Sequence, residues 1–257
     1  METSLPERER PTLLWMECGA CSGESMAILG SGGSDTLLDF LDRHDVQLLW
    51  HPSLSPEPPC ELARMIELIV AGEQHLTLLC VEGSIINGPD GTGLFDTFEG
   101  RPKRDLVAAL CHRAEYVMAM GSCAAFGGIP AAPPNPSESV GLQFTNARPG
   151  GLLESGWRSK SGMPVVNLGG CPADSATMIE TMGLLLDGQL LDLNRYQQPS
   201  TVQPCLADAV NRKCGTAEKV GYVCYGCLSA RFPISRALFR HHPKPVRAEP
   251  DLQGAAL

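Results

Sequence analysis

Cys18, Cys21, Cys123 and Cys171 are spread over more than half the chain, yet each falls in a glycine-rich turn directly after an apolar run. The turns are Glu17-Cys18-Gly19-Ala20-Cys21-Ser22-Gly23, Gly121-Ser122-Cys123 and Gly169-Gly170-Cys171-Pro172. Short apolar runs bounded by turn residues read as buried strands. Strands are predicted at 12–16, 46–50, 76–81, 116–120 and 164–168, with helical patterns between them at about 25–43, 60–71, 103–112 and 174–186. Strand and helix in alternation are the signature of βαβ units on a parallel sheet. The expected fold is therefore α/β, a flavodoxin-like doubly wound parallel sheet. In such sheets ligands bind beyond the carboxyl ends of the strands, where all three cysteine turns would lie. Thiolates gathered there suit iron, zinc or an iron–sulfur cluster.

The division expected is a polar tail over 1–11, the sheet domain over 12–195, a small irregular cysteine-rich segment over 196–240 and a tail over 241–257. Residues 127 to about 160, opening with Gly127-Gly128-Ile129-Pro130-Ala131-Ala132-Pro133-Pro134, cannot continue a helix and read as a long irregular excursion. After Gln197-Gln198-Pro199 the character changes. Cys205, Cys214, Cys224 and Cys227 fall within 23 residues that carry little apolar mass, so this segment is expected to fold around its own metal. Four thiolates with a Cys-Tyr-Gly-Cys pair suit zinc or a four-iron cluster equally well.

Charge narrows the class. With 29 acidic against 20 basic side chains the formal charge is −9, which disfavours a nucleic-acid binder. No run approaches the roughly 18 apolar residues of a membrane span, and the polar start lacks a hydrophobic leader, so a cytoplasmic location is expected. Any association with a membrane would run through a partner. Eleven cysteines in such a chain point to thiolate-bound metal rather than a disulfide framework.

Taken in order, Cys21-Ser22-Gly23 after Leu14-Trp15, Val81-Glu82-Gly83-Ser84-Ile85, Gly121-Ser122-Cys123-Ala124-Ala125-Phe126-Gly127-Gly128-Ile129-Pro130-Ala131 with Pro134-Asn135-Pro136, and Gly169-Gly170-Cys171-Pro172 resemble the successive motifs of the small, electron-transfer subunit of nickel–iron hydrogenases. The resemblance covers about residues 12–190. His51-Pro52-Ser53-Leu54 and Gly141-Leu142-Gln143-Phe144 look most like the cytoplasmic uptake, high-affinity branch. It implies a proximal iron–sulfur cluster held by Cys21, Cys123 and Cys171, next to a large subunit bearing the nickel–iron centre. It also implies electrons passing from hydrogen oxidation through the clusters to a downstream acceptor, with the isolated chain not catalytic. The alternatives are the small subunit of a hydrogen-sensing regulatory hydrogenase, the iron–sulfur subunit of a quinone-reducing complex, and a zinc-stabilised scaffold. Heterodimers could assemble further through the C-terminal site.

The family pattern has a further cysteine three residues after Cys21, where this chain has Glu24. Three outcomes follow: a three-iron cluster, a carboxylate ligand from Glu24, or recruitment of Cys18 to complete a four-iron cluster. The preference falls on Cys18, three residues before Cys21 in the same turn, with Glu24 read as a solvated carboxylate at a helix N-terminus. In the C-terminal segment Cys205, Cys224 and Cys227 match the resemblance's second cluster and Cys214 is additional, giving a second, four-thiolate cluster. No ligand set remains for a third, and His241-His242 read as solvated. Cys60, Cys80 and Cys111 read as small core hydrophobes. Glu82 is expected to orient the cluster region, to join a proton path at the interface, or to be a buried carboxylate satisfied by backbone N–H groups.

Overall fold

The computed structural model describes residues 10–30, 36–132, 134–146 and 148–199. The expected 241–257 tail, Cys205, Cys214, Cys224, Cys227, His241 and His242 lie outside the described residues, as does the 1–11 tail before Arg10.

Five strands form one parallel sheet: β1 (Thr12–Glu17), β2 (Gln47–Trp50), β3 (Leu78–Glu82), β4 (Tyr116–Met120) and β5 (Val166–Leu168). Their spatial order is β5-β4-β3-β1-β2. This is the doubly wound flavodoxin-like order, which reverses between β1 and β3. The central three strands are apolar along their length because helices cover both faces. In β1, Leu14 and Met16 point to one face and Leu13 and Trp15 to the other, as strand geometry requires.

Helices α3 (Pro59–Ala71) and α4 (Lys103–Cys111) pack on the Leu14 face. Helices α1 (Gly23–Leu29), α2 (Leu37–Arg43) and α6 (Ser175–Leu186) pack on the Trp15 face. In α3 the buried stripe is Leu62, Ile66 and Ile69, spaced at four and three. The short α5 (Gly121–Phe126) follows β4 directly.

The helix expected over 25–43 is two helices. Glycine and serine crowd residues 30–34, and Thr36 and Asp39 form a capping box that starts α2 afresh. The excursion over 127–160 carries more order than expected. It adds short antiparallel pairs, Ile85–Ile86 with Ser139–Val140 and Phe144–Thr145 with Arg148–Pro149. Gln143 then fixes the loop: its amide nitrogen lies 2.9 to 3.1 Å from the carbonyls of Glu154, Ser155 and Trp157, and its oxygen accepts from Val165 N–H.

Candidate metal centre at the strand ends

Register decides which turns meet. Glu17 pairs with Glu82, Glu82 with Met120 and Met120 with Leu168, so the last residues of four strands stand in one row. The turns beyond them are then tied in pairs. Gly19 and Ser84 exchange two backbone hydrogen bonds of 3.0 Å. On the other side Ser122 N–H donates to Gly170 C=O at 2.8 Å, and Gly170 N–H donates to Ser122 Oγ at 3.0 Å. Cys123 and Cys171 are each one residue beyond that second tie.

Glu24 joins the same site. Its carboxyl lies against Gly121, where a Cβ would overlap it, and accepts from Ala173 N–H. Burial, the neighbouring Glu82 carboxylate and a hydrogen bond to it push Glu24 up to about 8. The expectation of a solvated Glu24 is thereby corrected: it is in the first turn of α1, but it is 6% exposed. Cys123 is half-buried. Burial, then Glu24, Cys171 and Cys21, push its thiol up to about 12. Cys21 and Cys171 are exposed. Glu24, Cys171 and Cys21 thus all lie in the electrostatic neighbourhood of Cys123, a region at the strand-end edge.

Cys18 is not in that region. It continues the Leu14–Met16 face of β1 into the core under α3 and α4. Burial first, then the Asp96 carboxylate, push its thiol up to about 12. Cys80 and Cys111 are buried with raised thiols, as expected of core cysteines. Cys60 departs from that expectation. It sits in the first turn of α3, off the Leu62–Ile66–Ile69 stripe, and is exposed. Reactivity follows the accessible thiolate. With the chain freed of metal, iodoacetamide at about pH 8 should label Cys21, Cys60 and Cys171 and spare Cys18, Cys80 and Cys111, as read by peptide mass mapping.

Beneath the cysteines lies a buried polar layer. Glu82 is fully buried and accepts from Trp15 Nε1, Glu24 N–H, Ser25 N–H and Ser25 Oγ–H. The Trp15 ring leans on His51, with centroids 5.1 Å apart. His51 served the sequence reading only as a branch marker, yet it too is fully buried. Its Nδ1 accepts from Ser53 N–H, so the ring proton sits on Nε2, which has no partner. Burial lowers His51 from 6.5 to about 4 against the pull of Glu82. A depressed histidine adds stability that is lost as pH falls from the unfolded toward the folded value. Between about pH 7 and pH 5 the chain should lose roughly 2 kcal/mol on this account. His51→Gln should flatten that part of the urea-denaturation profile.

The donor set fits a thiolate-bound group. Three cysteines face one region, and glycines stand beside two of them: a Cβ on Gly128 would come 2.5 Å from Cys123 Sγ, and one on Gly23 would come 3.2 Å from Cys21 Sγ. Among the described residues no three of His, Cys, Asp or Glu stand close enough to share a single ion.

A doubly wound parallel sheet with thiols beyond its strand ends defines the class: a flavodoxin-like domain with a cysteine-lined edge. The chain belongs to the family described as NADH ubiquinone oxidoreductase, 20 Kd subunit, which matches residues 21–185. Its curated relatives are named as hydrogenase small subunits. It is 28% identical over 214 residues to the F420 non-reducing hydrogenase II small subunit of Methanosarcina mazei, covering 75% of this chain and 54% of that one. It is 24% identical over 192 residues to the quinone-reactive Ni/Fe-hydrogenase small chain of Wolinella succinogenes, covering 74% and 49%. The chain thus spans about half the length of these relatives. Among solved structures it matches the actinobacterial-type NiFe-hydrogenase of Ralstonia eutropha H16, with a TM-score of 0.65 and 26% identity, over 75% of this chain and 59% of that one. The described residues include no helix long and apolar enough to cross a membrane.

Proposed function

We propose that this chain is the electron-transfer subunit of a nickel–iron hydrogenase, with a proximal iron–sulfur cluster held by Cys21, Cys123, Cys171 and Glu24. The observation that carries the reading is the convergence of three strand-end thiols and one buried carboxyl on a single edge of the sheet. An iron–sulfur cluster in that cradle supplies single-electron transfer. The chain's own residues set its surroundings. Gly23 and Gly128 leave room beside the sulfurs, Ser122 and Gly170 hold two cysteine turns together, and the core below excludes water. Coordination would deprotonate the Cys123 thiol, which burial otherwise keeps protonated.

Glu24 is assigned in preference to Cys18 because only Glu24 lies beside Cys123 and the Cys171 turn. Leu94 and Phe95 are exposed in the loop that follows the Gly19–Ser84 tie, and Ile129 is exposed just beyond the Cys123 turn. These apolar side chains give a large subunit a surface to seat on. Cys205, Cys214, Cys224 and Cys227 are proposed to hold a second, four-iron cluster that passes electrons to an acceptor in the cytoplasm.

The test is to co-express the chain with its large subunit. The complex should be brown, contain iron and acid-labile sulfide, and reduce an artificial acceptor with hydrogen, while the isolated chain does not. Zinc without sulfide overturns the reading.

A further inference from the structure

The N-terminus of α1 carries the turn that begins at Cys21, and its own capping residue does not cap it. Ser22 stands in the left-handed region at φ 57° and makes no side-chain cap. Its hydroxyl instead donates to Glu17 Oε1 at 2.5 Å. An uncapped first turn leaves backbone N–H groups without partners, and an N-cap is worth about 1 kcal/mol. The missing acceptor comes from the end of β3, 57 and 58 residues away. Glu82 Oε1 accepts from Glu24 N–H at 3.0 Å, and Glu82 Oε2 accepts from Ser25 N–H at 3.2 Å. Oε2 also accepts from Ser25 Oγ–H at 2.5 Å and from Trp15 Nε1–H at 2.9 Å.

These four donors are uncharged, and three of them cannot act as acceptors. The Glu24 carboxyl also hydrogen-bonds to Glu82, so two acids stand side by side at the buried edge of the site. Glu24, whose amide is clamped, presses its own carboxyl on Gly121.

We infer that Glu82 is the positioning residue of the proximal site: it caps α1 from a distant strand, fixes Cys21 and Glu24 against the Cys123 and Cys171 turns, and sets the electrostatic potential felt there. The inference rests on the reading that an iron–sulfur cluster occupies the cradle. A cluster gains negative charge on reduction, and a nearby buried anion opposes that. Removing the charge raises the cluster's midpoint potential. Removing one of the donors that neutralise it lowers the potential.

The experiment is a redox titration of the complex of this chain with its large subunit, followed by EPR, in wild type, Glu82→Gln, Glu82→Asp and Ser25→Ala. Glu82→Gln should raise the proximal potential and alter its signal, because the charge is lost and an NH2 group faces donors. Ser25→Ala should lower the potential. Glu82→Asp, which keeps the charge, should stay nearer to wild type than Glu82→Gln does. The signal of the second cluster should stay fixed throughout.

Shifts of opposite sign are not the result of loosened packing, which gives no reason for the sign to reverse. Wild-type potentials in both Glu82→Gln and Ser25→Ala, or both clusters moving together, overturn the inference. If Glu82→Gln fails to assemble, Ser25→Ala decides: a lowered potential supports the inference, and an unchanged one overturns it. Amide exchange at Glu24 and Ser25 reads the clamp without any cluster. If the wild-type complex holds no cluster, the functional reading fails. The clamp itself then stands or falls on whether Glu82→Gln speeds exchange at those two amides.

Discussion

Alanine at Gly83 should be among the most destabilising single substitutions in the sheet domain. Gly83 lies at φ 89°, a region that costs an L-residue about 1–2 kcal/mol. Its added Cβ would come 2.6 Å from Ala20 Cβ, 2.7 Å from Ala20 N and 2.7 Å from the Gly19 carbonyl carbon. Two of those three are backbone atoms of the first cysteine turn, and a side-chain rotation cannot move them aside. The Gly19–Ser84 tie must open to admit the methyl. The expected loss is on the order of 3–5 kcal/mol, or roughly 10 °C in Tm for a domain of this size. Gly91→Ala isolates the backbone cost. It sits at φ 72° with nothing within 4 Å of its Cβ, so only about 1 kcal/mol should be lost. Thermal unfolding of both variants beside wild type checks the pair, and equal losses would mean that the contact with the cysteine turn is unimportant. Gly83→Ala should also impair loading of the site, because Cys21 stands just beyond Ala20.

The fold was legible because its core strands are apolar on both faces, which only a doubly covered parallel sheet requires. β4 runs Tyr116–Met120 as expected, and the remaining strand ends differ by no more than two residues. The break between α1 and α2 was written in the glycine–serine run and in the Thr36–Asp39 capping box, both overlooked beneath a continuous helical periodicity. Helix α5 was hidden by its opening Gly121-Ser122-Cys123, which has the composition of a turn.

At the site, the cysteines could be read from their place after strands, but the alternation of β1 was the signal not used. Carried two residues past Met16, it already sends Cys18 to the α3–α4 face. For Glu82 a buried carboxylate satisfied by backbone N–H groups was expected and is found, but neither its partners on α1 nor the burial of His51 had a local signal. Both depend on contacts between residues far apart in the chain, which spacing does not encode.

The competition between Glu24 and Cys18 gives an all-or-none result. Cys18→Ala removes a buried sulfur from a core of leucines, isoleucines and valines. It should cost about 1 kcal/mol of stability while iron, sulfide and the proximal EPR signal stay as in wild type. Glu24→Ala removes the one carboxyl that, among the described residues, lies beside Cys123 and the Cys171 turn. The fold tolerates this, because the clamp to Glu82 uses the backbone N–H of residue 24, which alanine keeps. The proximal site is then left with three thiolates. The expected outcome is loss of the proximal cluster, or its conversion to a three-iron form that is paramagnetic when oxidised, with turnover falling in step. Glu24→Cys supplies a thiolate from the same backbone position and should restore four-iron loading at a changed potential. Iron and sulfide analysis with EPR of the oxidised and reduced complex reads all three variants. A proximal signal that survives Glu24→Ala and vanishes in Cys18→Ala would transfer the fourth ligand to Cys18. It would also require the end of β1 to turn its thiol out of the core, away from Asp96 and toward the cysteine edge.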